Sequence, residues 1–349
     1  MLIFKKIGPR HVKIAFTHCF LYSTPEIIYL RPRKKQFIQS MISRRNIRVK
    51  VMQTLYAWSA ESAENSKIPS PSKVLDQHFS QTRSLFVYQI YFLTQVARYA
   101  EKDAHKKASK YIPSATDLNV NTKLAGSNLL WQMLEDKQLE EQFKKDKPEH
   151  QIDEELVKKI YNQLVKTSEY HHYISINQQS KQEDRKIFEF ILNDYMLGNE
   201  DFIAHIEELF SNWNDDGEMV AQLLQNYIYK PGTVKFSEII SADKLQFAQQ
   251  LLATVIDKNE YLLEFITPRL KNWDPERIAL LDMVIMKMGV AEFLYFETIP
   301  PKVTINEYID LAKEYSTAQS GHFVNGILDN IHKELVQQGR LKKTDYKKA

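Results

Sequence analysis

Apolar residues recur at three- and four-residue intervals along most of this chain, which is the period of an amphipathic helix. Residues 300–335 show the pattern clearly. A first helix is predicted after a pair of prolines, and Thr304 and Glu307 match a capping box at its start. A second helix is predicted to begin near Gly321, beyond a short polar turn. The pattern therefore predicts a helical hairpin near the C terminus.

Similar periodicity fills the rest of the chain, so we expect an all-α fold. Only nine glycines and twelve prolines occur in 349 residues, which argues against a loop-rich β architecture. A hydrophobic content of 43% and a charged content of 26% are ordinary for a globular protein. The other helices predicted by the pattern cover residues 43–59, 74–110, 128–143, 152–170, 243–257, 260–270 and 275–294.

The middle of the chain also contains a candidate internal repeat. Residues 181–228 align without a gap on residues 241–288, sixty positions later, and the match includes an Asn-Trp pair at Trp213 and Trp273. Each tryptophan is followed by a residue suited to cap a helix. The alignment predicts that 181–228 is a degenerate copy of 241–288.

The predicted helix after Gly321 contains an Asn-Gly pair, which is more typical of turns. A glycine inside a helix costs about 1 kcal/mol relative to alanine, so Gly326 requires a reason. One interpretation is that Gly326 lets a neighbouring helix approach closely. The other is that Phe323 and Asn325 face a ligand near the helix start. The pattern leaves both open.

A basic cluster marks the helix predicted over 43–59. Arg44, Arg45 and Arg48 lie near its N terminus, where the helix dipole disfavours cations, and a bound phosphate would relieve that cost. Arginine also forks to phosphate, and Tyr56 on the same helix could stack on a base. A solvated basic face without a ligand is the alternative.

Charge and cysteine content limit the class of protein. The net charge is +3, but residues 1–40 carry +7, so the remainder carries −4. Nucleic-acid binding would therefore need a local patch. The leader 1–40 is expected to be a flexible basic tail, or an upstream start that is not the native one.

Cys19 is the single cysteine, which excludes an intrachain disulfide and favours a reducing, cytoplasmic compartment. No membrane span is predicted, because no run of 18 apolar residues occurs.

Sequence motifs for catalysis are missing. The chain has no glycine-rich phosphate loop, no nucleophile elbow and no paired carboxylates in a plausible cleft. The adjacent pair His171 and His172 is a poor metal candidate, because neighbouring residues of a helix point to different sides. We therefore expect a protein that is not an enzyme and uses neither metal nor cofactor.

Two motifs carry a resemblance to a known family. The segments INEYIDLAKEYS and FVNGILD, in this order, resemble the C-terminal signature of the NusB family of transcription antitermination factors. The resemblance extends through 241–294 and reappears in SRRNIRVKVMQTLYAWS at 43–59. It implies an all-α fold of helical bundles with a large helical insertion. The implied organisation is a leader over 1–40, a first core helix over 41–59, an insertion over 60–240, a C-terminal core over 241–338 and a basic tail over 339–349.

The resemblance also implies a function, which is antitermination in ribosomal RNA operons. The partners it implies are a boxA-type RNA, the small-subunit ribosomal protein NusE and the transcription elongation complex; a homodimer stays open. Asp282 is expected to be exposed and to contact a protein partner, with an ordinary solvated carboxylate as the alternative. Gln319 and Gly321 depart from the family pattern. The RNA-binding residues implied by the resemblance are Arg44, Arg45, Arg48, Lys50, Tyr56, His322, Phe323 and Asn325.

A second interpretation is a helical scaffold for protein interactions, derived from the same fold but without specific RNA binding. The predicted insertion is large enough to cover the RNA-binding face. An open surface that joins residues 44–50 to 323–325 would favour RNA binding. Burial of that surface under residues 74–170 would favour the scaffold.

Overall fold

The prediction of an all-α fold is confirmed, because every regular element in the described part of the chain is helical. The computed structural model describes residues 42–62, 70–178, 180–270 and 278–344. The predictions for the leader 1–40, for Trp273 and for the last five residues lie outside them. The helices are α1 (Arg44–Ser62), α2 (Pro71–Ala108), α3 (Ala115–Leu118), α4 (Asn128–Leu134), α5 (Lys137–Asp146), α6 (Glu154–Leu164), α7 (Ser168–Ser175), α8 (Lys181–Phe190), α9 (Glu200–Leu209), α10 (Trp213–Tyr229), α11 (Ala242–Asp257), α12 (Asn259–Ile266), α13 (Leu280–Tyr295), α14 (Pro301–Tyr315) and α15 (Ser320–Gln337).

Helix α1 lies between two groups of helices. It packs against α11 and α13 of the C-terminal part and against α2 and α10, which precede them in the chain. All six residues from 47 to 52 are buried, so the middle of this helix is enclosed on every side. The two groups of helices consequently share one hydrophobic core.

Helix α2 is the longest element of the insertion, with 38 residues. Pro71 occupies its first turn, where the missing N–H group does no harm. His105, Lys106 and Lys107 lie in its last turn, next to the negative end of the helix dipole. Helices α6, α10 and α5 pack against α2.

Two helices predicted as continuous are broken by local capping. The predicted helix 128–143 is divided at Asp136, whose carboxylate accepts from the backbone N–H of Gln138 at 3.0 Å and so begins α5. The predicted helix 152–170 is divided at Thr167, whose hydroxyl accepts from the N–H of Tyr170 at 3.1 Å and so begins α7. Side-chain caps satisfy the unpaired N–H groups of a new helix start, which is why both segments divide there.

The predicted C-terminal hairpin is formed by α14 and α15, but the predicted capping box is wrong. Helix α14 begins at Pro301, so Thr304 lies within the helix and is fully buried. Its hydroxyl donates to the carboxylate of Glu292 at 3.0 Å. A proline in the first turn starts the helix without a side-chain cap.

The two segments of the candidate repeat agree only in part. The first contains α8, which continues as a π-helix over Ile191–Leu197, and then α9. The second contains α11 and α12 at nearly the same spacing. Helix α13 begins at Leu280, whereas the position equivalent to the start of α10 would be Trp273, which is not described. The repeat therefore stays a prediction.

Candidate nucleic-acid interface

Arg48 is not on the surface. It is 2% exposed, and its guanidinium donates to both oxygens of the fully buried Glu292, from Nε at 2.6 Å and from Nη2 at 3.1 Å. Its Nη1 donates to Glu307 at 3.2 Å. Burial alone would lower the pKa of Arg48, but the hydrogen bond and charge of Glu292 outweigh it and raise the pKa. Arg48 is therefore a permanently charged part of the core.

Glu292 is the centre of this buried network. Its carboxylate also accepts from Thr304 at 3.0 Å and from the hydroxyl of Tyr308 at 2.7 Å. Burial and the negative charge of Glu292 raise the pKa of Tyr308 well above its usual value, so this hydroxyl stays a donor. The network joins α1, α13 and α14.

Lys50 is also buried, and its partner comes from α10. Its Nζ lies 2.8 Å from Oδ2 of Asp216, which is fully buried in the first turn of α10. The same oxygen accepts from Thr82 of α2 at 2.7 Å and from Asn212 at 2.6 Å. A buried ion pair with these additional bonds fixes α2 and α10 to α1.

Among Arg45, Arg48 and Lys50, which all form ion pairs, Arg45 is the residue whose side chain stays partly exposed. Its side chain is 40% exposed, and Nη2 lies 2.7 Å from Glu314 in the last turn of α14. Asp310 lies 3.8 Å from Nη1. Both acids are about half exposed, so the attraction is screened by water and salt.

Arg44 is exposed and has no ion pair within the described residues. Its guanidinium lies over the ring of Phe247 in α11, at 5.6 Å from the centroid. Burial lowers the pKa of Lys244 in α11, the charge of Asp243 opposes this shift, and the charge of Arg44 adds to it. Two cations therefore meet beside the start of α1.

The first two turns of α15 present the other predicted contacts. His322 and Asn325 are exposed, and Phe323 is partly buried. A Cβ added at Gly326 would meet nothing within 4 Å, so the interpretation that this glycine permits close helix packing is wrong. The close contact between α14 and α15 is instead at Gly321, where an added Cβ would lie 2.6 Å from the side chain of Lys313.

Asp282 was expected to be exposed, and this expectation is wrong. The residue is 6% exposed in the first turn of α13, and its Oδ2 accepts from the hydroxyl of Ser320 at 2.7 Å. Ser320 opens α15 and also bonds Ser316 at 3.0 Å and Thr317 at 2.8 Å. Asp282 thus fixes the turn between α14 and α15, because helix packing brings its carboxylate under that turn.

Chain continuity links two parts of the predicted set. Arg45 contacts the last turn of α14, and the turn over 316–319 joins that helix to the first turn of α15, which contains His322 and Phe323. Arg48 and Lys50 point into the interior instead. Tyr56 is partly buried two turns further along α1.

The acids that partner these cations were missed from sequence. They are Glu292, Asp216 and Glu314. A carboxylate within the apolar segment 288–294 of α13 was a usable signal for Glu292, since an unpaired charge would be costly there. No comparable signal marks Asp216 or Glu314.

Other candidate sites give little. Within the described residues no group of three or more histidine, cysteine or acidic residues is arranged to hold a metal, and His171 and His172 are exposed. No helix in the same residues is long and apolar enough to cross a membrane.

Comparison with known proteins identifies the C-terminal part of the chain. Residues 208–333 match the profile of the NusB family, so the match begins within the predicted insertion 60–240 and includes α10. The transcription antitermination protein NusB of Methylacidiphilum infernorum is 42% identical over 99 residues, which are 28% of this chain and 68% of that protein. The chain belongs to the NusB family.

Two further NusB proteins match the same share of the chain. The protein of Salinibacter ruber is 44% identical over 98 residues, or 61% of its length, and that of Chloroherpeton thalassium is 40% identical over 98 residues, or 46% of its length. The chain thus spans about half to two thirds of these NusB relatives. A crystal structure of T. maritima NusB is 32% identical and covers 29% of this chain and 73% of its own, with a TM-score of 0.26.

Proposed function

We propose that this protein is an RNA-binding transcription antitermination factor that recognises a boxA-type RNA together with the ribosomal protein NusE. The observation that carries the proposal is the similarity of the C-terminal core to proteins named as transcription antitermination factors. The action belongs to transcription of ribosomal RNA operons, in association with the elongation complex, and involves binding without catalysis.

The proposed RNA-binding face combines the start of α1 with the start of α15. Arg44 and Arg45 hold phosphates, Phe323 stacks on a base, and His322 and Asn325 complete the contacts. A phosphate can replace Glu314 as the partner of Arg45, since a half-exposed ion pair is worth only about 0–1 kcal/mol. The open space over Gly326 leaves room for a nucleotide backbone on this side of α15.

Arg48 and Lys50 have a different role in this proposal. Their charges are already neutralised by Glu292 and Asp216 in the interior, so an RNA phosphate would have to displace a buried carboxylate. They support the face by fixing α1 rather than by contacting RNA.

Tyr56 keeps part of its side chain at the surface, where its ring can stack on a base. The buried carboxylate of Asp282 is bonded to Ser320, so NusE would sense Asp282 only through the turn between α14 and α15.

A scaffold for protein interactions is the second candidate, and one observation favours it. Helices α2 and α10 cover part of α1, and Asp216 of α10 pairs with Lys50. A scaffold without RNA specificity would use the insertion for recruitment. The two candidates differ in whether the purified chain distinguishes RNA sequences.

The deciding experiment measures binding of a short boxA-like RNA and of a scrambled RNA at two salt concentrations, with and without NusE. The proposal expects preference for the boxA-like RNA, strengthened by NusE. The double variant Arg44→Ala/Arg45→Ala should flatten the salt slope by about 1.4, since each phosphate contact of a single strand contributes about 0.7.

Lys333→Ala is the matched control, because Lys333 is an exposed lysine nearer the other end of α15 and is paired with Asp329. Equal binding of both RNAs, or an unchanged salt slope in the double variant, would reject the proposed face.

A further inference from the structure

The first turn of α10 is bonded to α1 and to the end of α14, the helix that leads into the turn before α15. Oδ2 of Asp215 accepts from Nε2 of Gln53 on α1 at 2.6 Å, and Oδ1 accepts from the hydroxyl of Tyr315 at the end of α14 at 2.8 Å. The main-chain oxygen of Asp215 accepts from Asn46 on α1 at 3.4 Å. One residue of α10 therefore bonds both α1 and α14.

Asp215 is itself held firmly. Its neighbour Asp216 is anchored to α1 through Lys50 and to α2 through Thr82, all at buried atoms. The start of α10 cannot shift without disrupting that cluster. Asp215 consequently presents its carboxylate at a fixed place between α1 and α14.

The bonds of Asp215 reach residues next to the RNA contacts. Asn46 directly follows Arg45, and Tyr315 directly follows Glu314, the partner of Arg45. Tyr315 also precedes the turn that leads to the start of α15. A shift of Tyr315 would therefore change both the ion pair of Arg45 and the direction of that turn.

We propose that Asp215 is a positioning residue, through which α10 sets α1 against the α14–α15 hairpin and so determines RNA affinity. This inference rests on the proposed function. It makes α10 a part of the RNA-binding apparatus, although Asp215 itself touches no RNA.

A positioning role and a purely structural role predict different results. If Asp215 only stabilised the fold, folded variants would bind RNA normally. If it positions the face, affinity falls while the salt slope stays constant, because no phosphate contact is removed. Tyr315→Phe supplies a mild variant, since it deletes the hydroxyl alone.

The experiment measures RNA affinity and its salt slope for Asp215→Ala, for Tyr315→Phe and for the double variant, after circular dichroism has verified folding. Asp215→Ala should raise the Kd by about five- to tenfold, which is the lower end of the usual range for coupling between sites, and should leave the salt slope unchanged. The double variant should lose less than the sum of the two singles, because both remove the same bond.

Asp201→Ala is the control, because Asp201 is an exposed acid at the start of α9 that pairs with Lys159. Wild-type affinity in folded Asp215→Ala and Tyr315→Phe would overturn the positioning role alone. Absence of RNA binding by the wild-type chain would overturn this role together with the proposed function.

Discussion

Replacing Arg48 tests whether the arginine helix serves the core or the RNA. Arg48→Met removes the guanidinium but keeps an unbranched apolar chain of similar length. Glu292 would then be a buried carboxylate whose remaining donors are Thr304 and Tyr308, both neutral. Its ion pair would be lost, and the partly buried Lys343, which bonds the main-chain oxygen of Glu292 at 2.8 Å, would be the cation left nearby.

The expected loss follows from that unpaired charge. Removing one partner of a buried ion pair costs about 3–5 kcal/mol, because the other charge stays desolvated. The double variant Arg48→Met/Glu292→Gln should recover more than about 1 kcal/mol of this loss, since glutamine accepts from Tyr308 without a net charge. Arg44→Met, an exposed arginine on the same helix, should change stability by less than about 0.5 kcal/mol.

The assay is urea unfolding at neutral pH, with the slope of the transition checked for each variant. RNA binding of folded Arg48→Met is measured in parallel. A phosphate contact would reduce the salt slope by about 0.7, whereas burial predicts no change. A stability loss below about 1 kcal/mol together with a flattened salt slope would refute the reasoning, and would return Arg48 to the RNA-binding face.

Two further predictions concern charges around α1. Glu314→Gln should tighten RNA binding by about two- to fivefold, because Glu314 competes with the RNA phosphate for Arg45 and this ion pair contributes up to about 1 kcal/mol. Weaker or unchanged binding in RNA titrations would contradict this. Burial and the nearby charge of Lys50 lower the pKa of His78 from 6.5. The imidazole therefore takes up a proton more readily in the unfolded state than in the folded state, and stability should fall as the pH drops below about 6.5. Urea unfolding of the wild type and of His78→Gln between about pH 7.5 and 5.5 should show a smaller decrease in the variant, and parallel curves would exclude His78 as the cause.

The sequence predicted the helices well because helical periodicity is a local property. The long pattern near residues 74–110 became α2, and the C-terminal hairpin became α14 and α15. Errors arose where one side chain decided the outcome, as at Asp136, which divides a predicted helix by capping the next. The family resemblance was equally local, since it rested on contiguous motifs.

The candidate site depended on contacts that local patterns do not contain. Arg48 meets Glu292 across 244 positions, and Arg45 meets Glu314 across 269. The sequence placed three arginines near one helix start, and their spacing alone predicted a basic face. Which of them stays at the surface was decided by the packing of α13 and α14 around α1.

The segment over 60–240 shows the same division. From sequence it was predicted to be a helical insertion of unassigned purpose, because its amphipathic pattern says only that one side of each helix is buried. The tertiary structure places Asp215 and Asp216 against α1, where they bind Gln53 and Lys50. The amino-acid sequence thus determined the fold class and the family. Tertiary packing alone decided which charges pair inside and which remain for a partner, because ion pairing depends on distance in space.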